Sequence, residues 1–300
     1  MAARCRLSHR SPVAEPHRRR SLRRCRCRQK PSRAGKGQRS CADLGSPALK
    51  RIAFAALVAV LSTPSIAAAR DYCPTRPSLG QSACTIEAGH YAIETALSDW
   101  ERSSDSDMVL FGDTLFRLGL TDRSELQIDW TPLGIARDRP NGRNVVRTGD
   151  LEIGSRIALR NPDGKGLSYG LQPSVTVPVG RSPIGSGGWG VAMVAPVSYD
   201  LSKRINLQFS PELAWMPRDE GRGNAVAATA TLGLGVLVSD ACQFTTELQW
   251  QRAEGVTEHR LALAVAWQVS DDFFVDTGGV AGLDDNTPAL RLYSGLSRRF

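Results

Sequence analysis

The sequence contains no apolar run of about twenty residues, the length a helix needs to cross the hydrocarbon of a bilayer. Its longest, IAFAALVAVL at residues 52–61, has ten, so a membrane-spanning helix bundle is excluded. No stretch shows a sustained 3.6-residue apolar period, which argues against an amphipathic-helix fold. Histidine is scarce: the chain has four, of which only His90 and His259 lie beyond residue 69. No His, Cys, Asp and Glu fall together at metal-ligand spacing, and Cys25-x-Cys27 has no second pair at zinc-finger distance, so no metal is expected. Gly185-Ser186-Gly187-Gly188-Trp189-Gly190 spells G-x-G-x-x-G. It lies in an outer loop with no strand–helix context, so it reads as loop glycine and implies no nucleotide and no cofactor.

What is present divides sharply along the chain. The formal charge is +8, but residues 1–51 alone hold 16 Lys and Arg against Glu15 and Asp43. The rest holds 22 basic and 28 acidic residues. The basic balance therefore belongs to the N-terminal sixth, and no nucleic-acid partner is expected of the remainder. Lys50 and Arg51, the apolar run at 52–61, the break at Thr63-Pro64 and the small residues Ala67-Ala68-Ala69 follow the order of a cleaved secretory signal. Residues 49–69 are read as that signal. Residues 1–48, rich in Arg, Ser and Pro and unable to bury a core, read as a disordered segment upstream of the true start near Leu49, or else as a basic arm. Residues 70–89 are expected to be a periplasmic N-terminal segment, and 90–300 the folded body.

From His90 onward, polar and apolar residues alternate in segments of about ten. Leu126, Ile128 and Trp130 alternate with Glu125, Gln127 and Asp129; Ile205, Leu207 and Phe209 alternate with Asn206, Gln208 and Ser210. Period two with one oily face means strand. About twelve such strands are expected, at 90–99, 108–121, 124–135, 147–160, 167–179, 189–200, 204–216, 224–238, 241–252, 257–269, 272–281 and 289–300. Short turns of the form apolar, hydroxyl, charge (Leu120-Thr121-Asp122-Arg123, Val269-Ser270-Asp271-Asp272) alternate with longer polar loops at 100–107, 136–146, 180–188, 217–223 and 282–288. Such sorting belongs to an outer-membrane barrel, with short periplasmic turns and longer outer loops. The expected fold is all-β: a transmembrane antiparallel up-and-down β-barrel preceded by a signal peptide, monomeric, with outer-membrane lipid around it.

Aromatic residues fall in two sets, as interfacial belts require. Trp100, Trp130, Trp189, Trp215 and Trp250 lie toward the long loops. Phe116, Tyr199, Phe244, Phe273 and Phe300 lie toward the short turns. Phe300 ends an alternating strand with Leu290, Leu292 and Leu296, the kind of terminus that barrel-assembly machinery reads, so it is the assembly signal. Arg298 shares the lipid-side register; near an interface this costs about 0–1 kcal/mol, and Arg can snorkel.

By register the inward-facing set is Glu94, Asp113, Arg117, Glu125, Gln127, Asp129, Asp150, Glu152, Arg156, Arg160, Glu212, Glu247, Gln249 and Asp276. Two readings stay open: ion pairs that stiffen a narrow, nearly closed barrel, or a pathway for a polar or amphipathic solute. Neither His90 nor His259 shows the Ser/His/acid setting of a barrel hydrolase, so no catalytic residue and no enzyme activity are assigned. Cys73 and Cys84 could close a short loop in the oxidising envelope, with Cys242 as a competing partner.

The stretches from Pro77-Ser78-Leu79 to Ala88-Gly89-His90-Tyr91-Ala92-Ile93-Glu94, and from Pro288-Ala289-Leu290 to Gly295-Leu296-Ser297, resemble the opening and close of the MetA-pathway of phenol degradation family. The resemblance runs over nearly all of residues 70–300. It implies a monomeric barrel that moves small organic compounds, aromatic or hydrophobic ones among them. The alternative is a closed structural or adhesive barrel acting through its outer loops. Protein isolated from the outer membrane of Gram-negative cells is expected to start at or near Arg70; N-terminal sequencing that finds residues 1–50 on the mature product overturns the signal.

Overall fold

The computed structural model describes residues 70–218 and 223–300. The basic segment at 1–48 and the signal at 49–69 lie outside the described residues. The described chain forms sixteen strand segments: β1 (Tyr91–Arg102), β2 (Ser106–Phe111), β3 (Thr114–Thr121), β4 (Ser124–Trp130), β5 (Leu133–Asp138), β6 (Asn144–Arg147), β7 (Leu151–Arg160), β8 (Leu167–Val177), β9 (Gly190–Val194), β10 (Val197–Ser202), β11 (Ile205–Pro217), β12 (Asn224–Ser239), β13 (Cys242–Ala253), β14 (Val256–Ser270), β15 (Phe273–Gly282) and β16 (Leu290–Arg299). All pairings are antiparallel, and β16 returns to β1 in a register running from Ala92 opposite Arg299 to Arg102 opposite Leu290. The ring is closed, as a sheet inside a bilayer requires; β6, at the outer end of its stave, pairs only with β5.

Four staves of this barrel are each built from two successive segments, β2 with β3, β4 with β5, β6 with β7 and β9 with β10, so the sixteen segments make twelve staves. Local sequence explains three of the breaks. Pro132 and Pro196 have no N–H to give the ladder, and Gly112 takes φ of 66° between β2 and β3. The staves occupy the positions the alternation predicts, with ends shifted by a few residues.

Loop lengths are less regular than expected. The loop expected at 100–107 shrinks, because β1 runs to Arg102 and β2 begins at Ser106. On the same side β13 and β14 are joined by a tight turn through Glu254 and Gly255, both with positive φ (51° and 84°). On the periplasmic side the β7–β8 connection is the longer one, shaped by Asn161 at φ 46°. Sorting by length therefore marks most connections but not all.

The alternation sends one set of side chains out to lipid. Leu232 and Leu248 face each other across β12 and β13, and with Leu263 of β14 they stay about half exposed. In water such a band would be a liability, whereas in hydrocarbon it is the required surface. Trp189, Trp215 and Trp250 are exposed toward the outer ends, and Tyr91, Tyr199 and Phe300 toward the periplasmic ends. Two aromatics depart from the expected belts. Trp130 lies mid-stave because β5 continues to Asp138, and Trp267, near the β14–β15 turn, joins the periplasmic belt. Phe300 closes the ring: its N–H donates to the Tyr91 carbonyl at 2.8 Å, the Tyr91 N–H returns the bond at 3.2 Å, and the two rings stack 5.0 Å apart. Leu248→Arg, at mid-stave on the lipid face, is expected to destabilise the barrel by about 2–4 kcal/mol in lipid vesicles. Urea titration read by the heat-dependent gel shift checks this; an unchanged midpoint would mean that this face does not meet lipid.

Candidate functional site

The lumen is occupied by the chain itself. Residues 70–89, expected as a periplasmic segment, instead run into the barrel and back out. The loop enters at Arg70 and Asp71, which bind the periplasmic turns through the Asp122 carbonyl (2.9 Å) and Lys165 (2.7 Å). Its deepest part is Pro77 to Gly80, and it leaves past Ile86, with the Gly89 N–H on the Gly119 carbonyl at 3.1 Å. Cys73 and Cys84, eleven residues apart, are joined as a disulfide across the two limbs, Cα to Cα 6.4 Å. The bond lies at the base of the inserted loop, beside the periplasmic β7–β8 connection, and leaves Cys242 as the free thiol among the described residues.

A plug without regular strands has backbone groups to satisfy, and the inward-facing side chains satisfy them. Glu94 accepts from the N–H groups of Thr75 (2.8 Å) and Arg76 (3.0 Å) and from the Tyr72 hydroxyl (3.3 Å). Burial pushes the Tyr72 phenol up, and the Glu94 charge adds to this, so Tyr72 remains a neutral donor. Glu125 accepts from the Ile86 N–H at 2.6 Å. The hydroxyl of Ser210 both accepts from the Gln81 N–H (2.8 Å) and donates to the Gln81 carbonyl (2.7 Å).

Two arginines tie these acceptors together. Arg117 is fully buried, and all five of its N–H donors are used. They reach both oxygens of Glu125 (2.8 and 3.0 Å), Glu94 (2.8 Å), and the carbonyls of Cys73 (2.9 Å) and Cys84 (3.1 Å). Arg156, equally buried, donates to Gln172 (3.1 Å), the Cys84 carbonyl (3.0 Å), the Thr75 hydroxyl (3.2 Å) and the Gln81 side chain (2.7 Å), with Glu125 3.7 Å away. Two positive and two negative side chains thus form one neutral cluster, the arrangement in which buried charge is tolerable.

The opposite wall grips the apex. Arg76 pairs with Asp276 at 2.9 Å, and the Tyr293 hydroxyl donates to the Pro77 carbonyl at 2.8 Å. Glu247 accepts from the Ser78 hydroxyl and from the N–H groups of Leu79 (2.7 Å) and Gly80 (3.1 Å). Inward glycines make room for this. A Cβ on Gly119 would lie 1.9 Å from the Glu87 carbonyl oxygen, and one on Gly295 2.5 Å from the Arg76 guanidinium.

Of the inward-facing candidates, Glu94, Arg117, Glu125, Arg156, Glu247 and Asp276 therefore hold the plug. Asp113, Asp129, Glu152 and Glu212 do not touch it. They belong to the outer half of the wall, where Asp129 faces Glu152 across β4 and β7 and Asp113 accepts from the Thr131 hydroxyl at 2.5 Å. Asp150 binds the loop amides of Gly180 (2.9 Å) and Ser186 (2.6 Å) rather than the plug, and Arg160 is exposed at the β7–β8 turn. His259, read as lacking an orienting group, has one: its Nδ1 lies 2.8 Å from Asp284 on the outer rim. Hydrogen bonds from the Thr287 hydroxyl, His259 and the Asn286 amide hold the Asp284 carboxyl down to about 2.

The plug was the part that sequence reasoning missed. Its signal lay in the wall: a balanced set of large charges on the inner register, and inward glycines beside them. Between plug and wall, on the periplasmic side, is a cavity of about 590 Å³, bordered by Ser198, Asn206, Gln208, Gln243, Thr245 and Gln268.

The model of a family described as "Putative MetA-pathway of phenol degradation" matches residues 75–300, from the plug to the last stave. No curated protein matches the chain. Solved structures of similar fold include the NanC porin, at 9% identity and a TM-score of 0.47 over 69% of this chain and 98% of that one. The KdgM porin in complex with disordered oligogalacturonate aligns at 10% and 0.45 over 70% and 99%. The CymD monoaromatic hydrocarbon channel aligns at 9% and 0.39 over 71% and 88%.

Arg117→Met would leave Glu94 and Glu125 buried without their charge partner, which is expected to cost about 3–5 kcal/mol. The cost falls on the plug: limited proteolysis of the folded barrel should cut within residues 70–89, whereas Arg123→Met at an exposed turn should not open that site. Equal protection in both variants would show that the cluster does not hold the plug.

Proposed function

This chain belongs to the family described as "Putative MetA-pathway of phenol degradation", and on that premise we propose that it is an outer-membrane channel for small organic compounds, closed at rest by its own N-terminal loop. The observation that carries the reading is the plug itself. The barrel is filled by a loop held by hydrogen bonds and ion pairs, with a cavity of about 590 Å³ beside it. Groups of this kind can exchange their partners for water when the loop moves, which an apolar core cannot do. The chain acts as a conduit rather than as an enzyme.

The expected signal fits the same picture. The Arg70 N–H donates to Glu87 at 2.9 Å. Cleavage before Arg70 turns that donor into an ammonium and the contact into a charge-assisted bond, which would secure the start of the plug at the periplasmic mouth. Assembly through the C-terminal strand and a monomeric state belong to this proposal.

One observation favours the alternative, a closed barrel that works through its outer loops: the donors of Arg117 are fully satisfied with the plug in place. Planar-bilayer recording separates the two. Mature wild-type protein is expected to show rare openings, and a variant lacking residues 70–89 sustained conductance. Silence from both supports the closed barrel.

A further inference from the structure

The inner register changes character where the cavity of about 590 Å³ lies, between the plug and the periplasmic halves of β10, β11, β13 and β14. Charged side chains grip the plug elsewhere. Here the wall presents Ser198, Asn206, Gln208, Gln243, Thr245 and Gln268, all hydroxyls and amides. Asp200, two residues beyond Ser198 on β10, is already taken by the Gly166 N–H and the Asn206 amide, both at 2.7 Å. β12 sets Gly233 and Gly235 between these staves, opposite Gln208 and Asn206. A Cβ on Gly235 would lie 2.9 Å from the Gln243 amide nitrogen, so the wall is kept open there. Among the described residues, the hydroxyl of Ser198, only 4% exposed, and the amides of Gln208 and Gln268 meet no hydrogen-bond partner. Asn206 Oδ1 and, on the plug side, Ser82 Oγ are unpaired as well. The arginine cluster a few residues away uses every donor it has, so this set of unpaired groups around one space calls for a reason of its own.

We propose that this cavity is a binding site for a neutral polyhydroxylated ring, a sugar or cyclitol, held between plug and wall. Hydrogen bonding is the first argument. A primary amide offers a donor and an acceptor side by side, and each hydroxyl is both, so neighbouring hydroxyls on a ring match the amides of Gln208 and Gln268. A ring without hydroxyls would strand them, which is how a polar site rejects an apolar solute. Charge is the second argument. The arginines that border the cavity are engaged, Arg70 with Glu87, Arg76 with Asp276 and Arg299 with Asp272. Asp163, Asp240 and Asp271 of the periplasmic turns stand around the same space. An anion therefore meets carboxylates on entry and, among the described residues, no uncommitted cation inside. Shape is the third. Leu237, Ala266 and Phe274 also border the cavity and give the C–H face of a ring an apolar surface. The volume falls in the range of about 300–1,000 Å³ usual for small-molecule sites. The site takes one side from the plug and the other from the staves, and it stands whether or not the barrel conducts.

The test uses the mature full-length protein, refolded in a detergent with no sugar headgroup, and ligand-observed NMR titration with glucose as the probe. Two other six-membered rings serve as comparisons: glucuronate, which adds a carboxylate, and cyclohexanol, which keeps a single hydroxyl. Glucose is expected to saturate, and each comparison to bind at least about tenfold more weakly, the loss of one or two hydrogen bonds or a charge repulsion of that size. Gln208→Leu and Gln268→Leu together remove two amides at little change in volume, and should weaken glucose by about tenfold. Ser198→Ala should weaken it about threefold, and carries the same reading if the double variant does not fold. The heat-dependent gel shift verifies folding of each. Absence of saturation by glucose, or either comparison binding as tightly, leaves the cavity to water and overturns the site. Wild-type affinity for glucose in the folded variants places the sugar elsewhere and overturns it too.

Discussion

A guanidinium buried inside a barrel must find acceptors for five donors, and Arg117 finds two of them on the plug. Glu94 and Glu125 come from the neighbouring staves; the carbonyls of Cys73 and Cys84 come from the inserted loop. Neither the wall nor the loop is complete without the other. The wall alone would hold a cluster of charges with open valences, and the loop alone has no regular hydrogen bonding of its own. Because Arg156 shares the Cys84 carbonyl and lies beside Glu125, the two arginines and two glutamates act as one neutral unit that fixes where the loop sits.

Apolar residues could have filled the same space with less desolvation, since hydrophobic replacements of buried ion clusters are often neutral or stabilising. The polar solution has a different consequence. If the loop withdraws, its former partners become the wall of a water-filled lumen and are solvated rather than stranded. An apolar filling would expose oily surface at the same step. The base and the apex of the loop differ in this respect. The base has the arginine cluster, the disulfide, and Tyr72 and Ile86 packed with Phe274. The apex depends on Glu247, Tyr293 and the Arg76–Asp276 pair, each reaching in from a stave of the opposite wall.

Much of the barrel was readable from periodicity alone. Alternation placed Leu126, Ile128 and Trp130 on one face and Glu125, Gln127 and Asp129 on the other, and the stave count followed from counting such segments. The same reasoning, that lipid will not take those charges, put Glu94, Arg117, Glu125, Arg156, Glu247 and Asp276 on the inner register, from which they reach the plug. Asp150, at the break between β6 and β7, binds loop amides instead. Arg160 is exposed at a stave end, where period two no longer constrains direction. Residues 70–89 have no period and two prolines, so nothing local distinguished a periplasmic tail from a loop folded into the lumen.

The sequence by itself determined the staves, their faces and the closed sheet, because each of these follows from the chemistry of neighbouring residues along one strand against lipid on one side. Only the tertiary structure decided what the inner charges are for. Their partners lie up to two hundred residues away, as Arg76 does from Asp276, and a buried charge announces that it needs a partner without saying which one. The path of the plug, the pairing of Cys73 with Cys84 across its limbs and the seating of Leu79 against β14, β15 and β16 come from long-range complementarity. No pattern confined to a short stretch of chain can encode that.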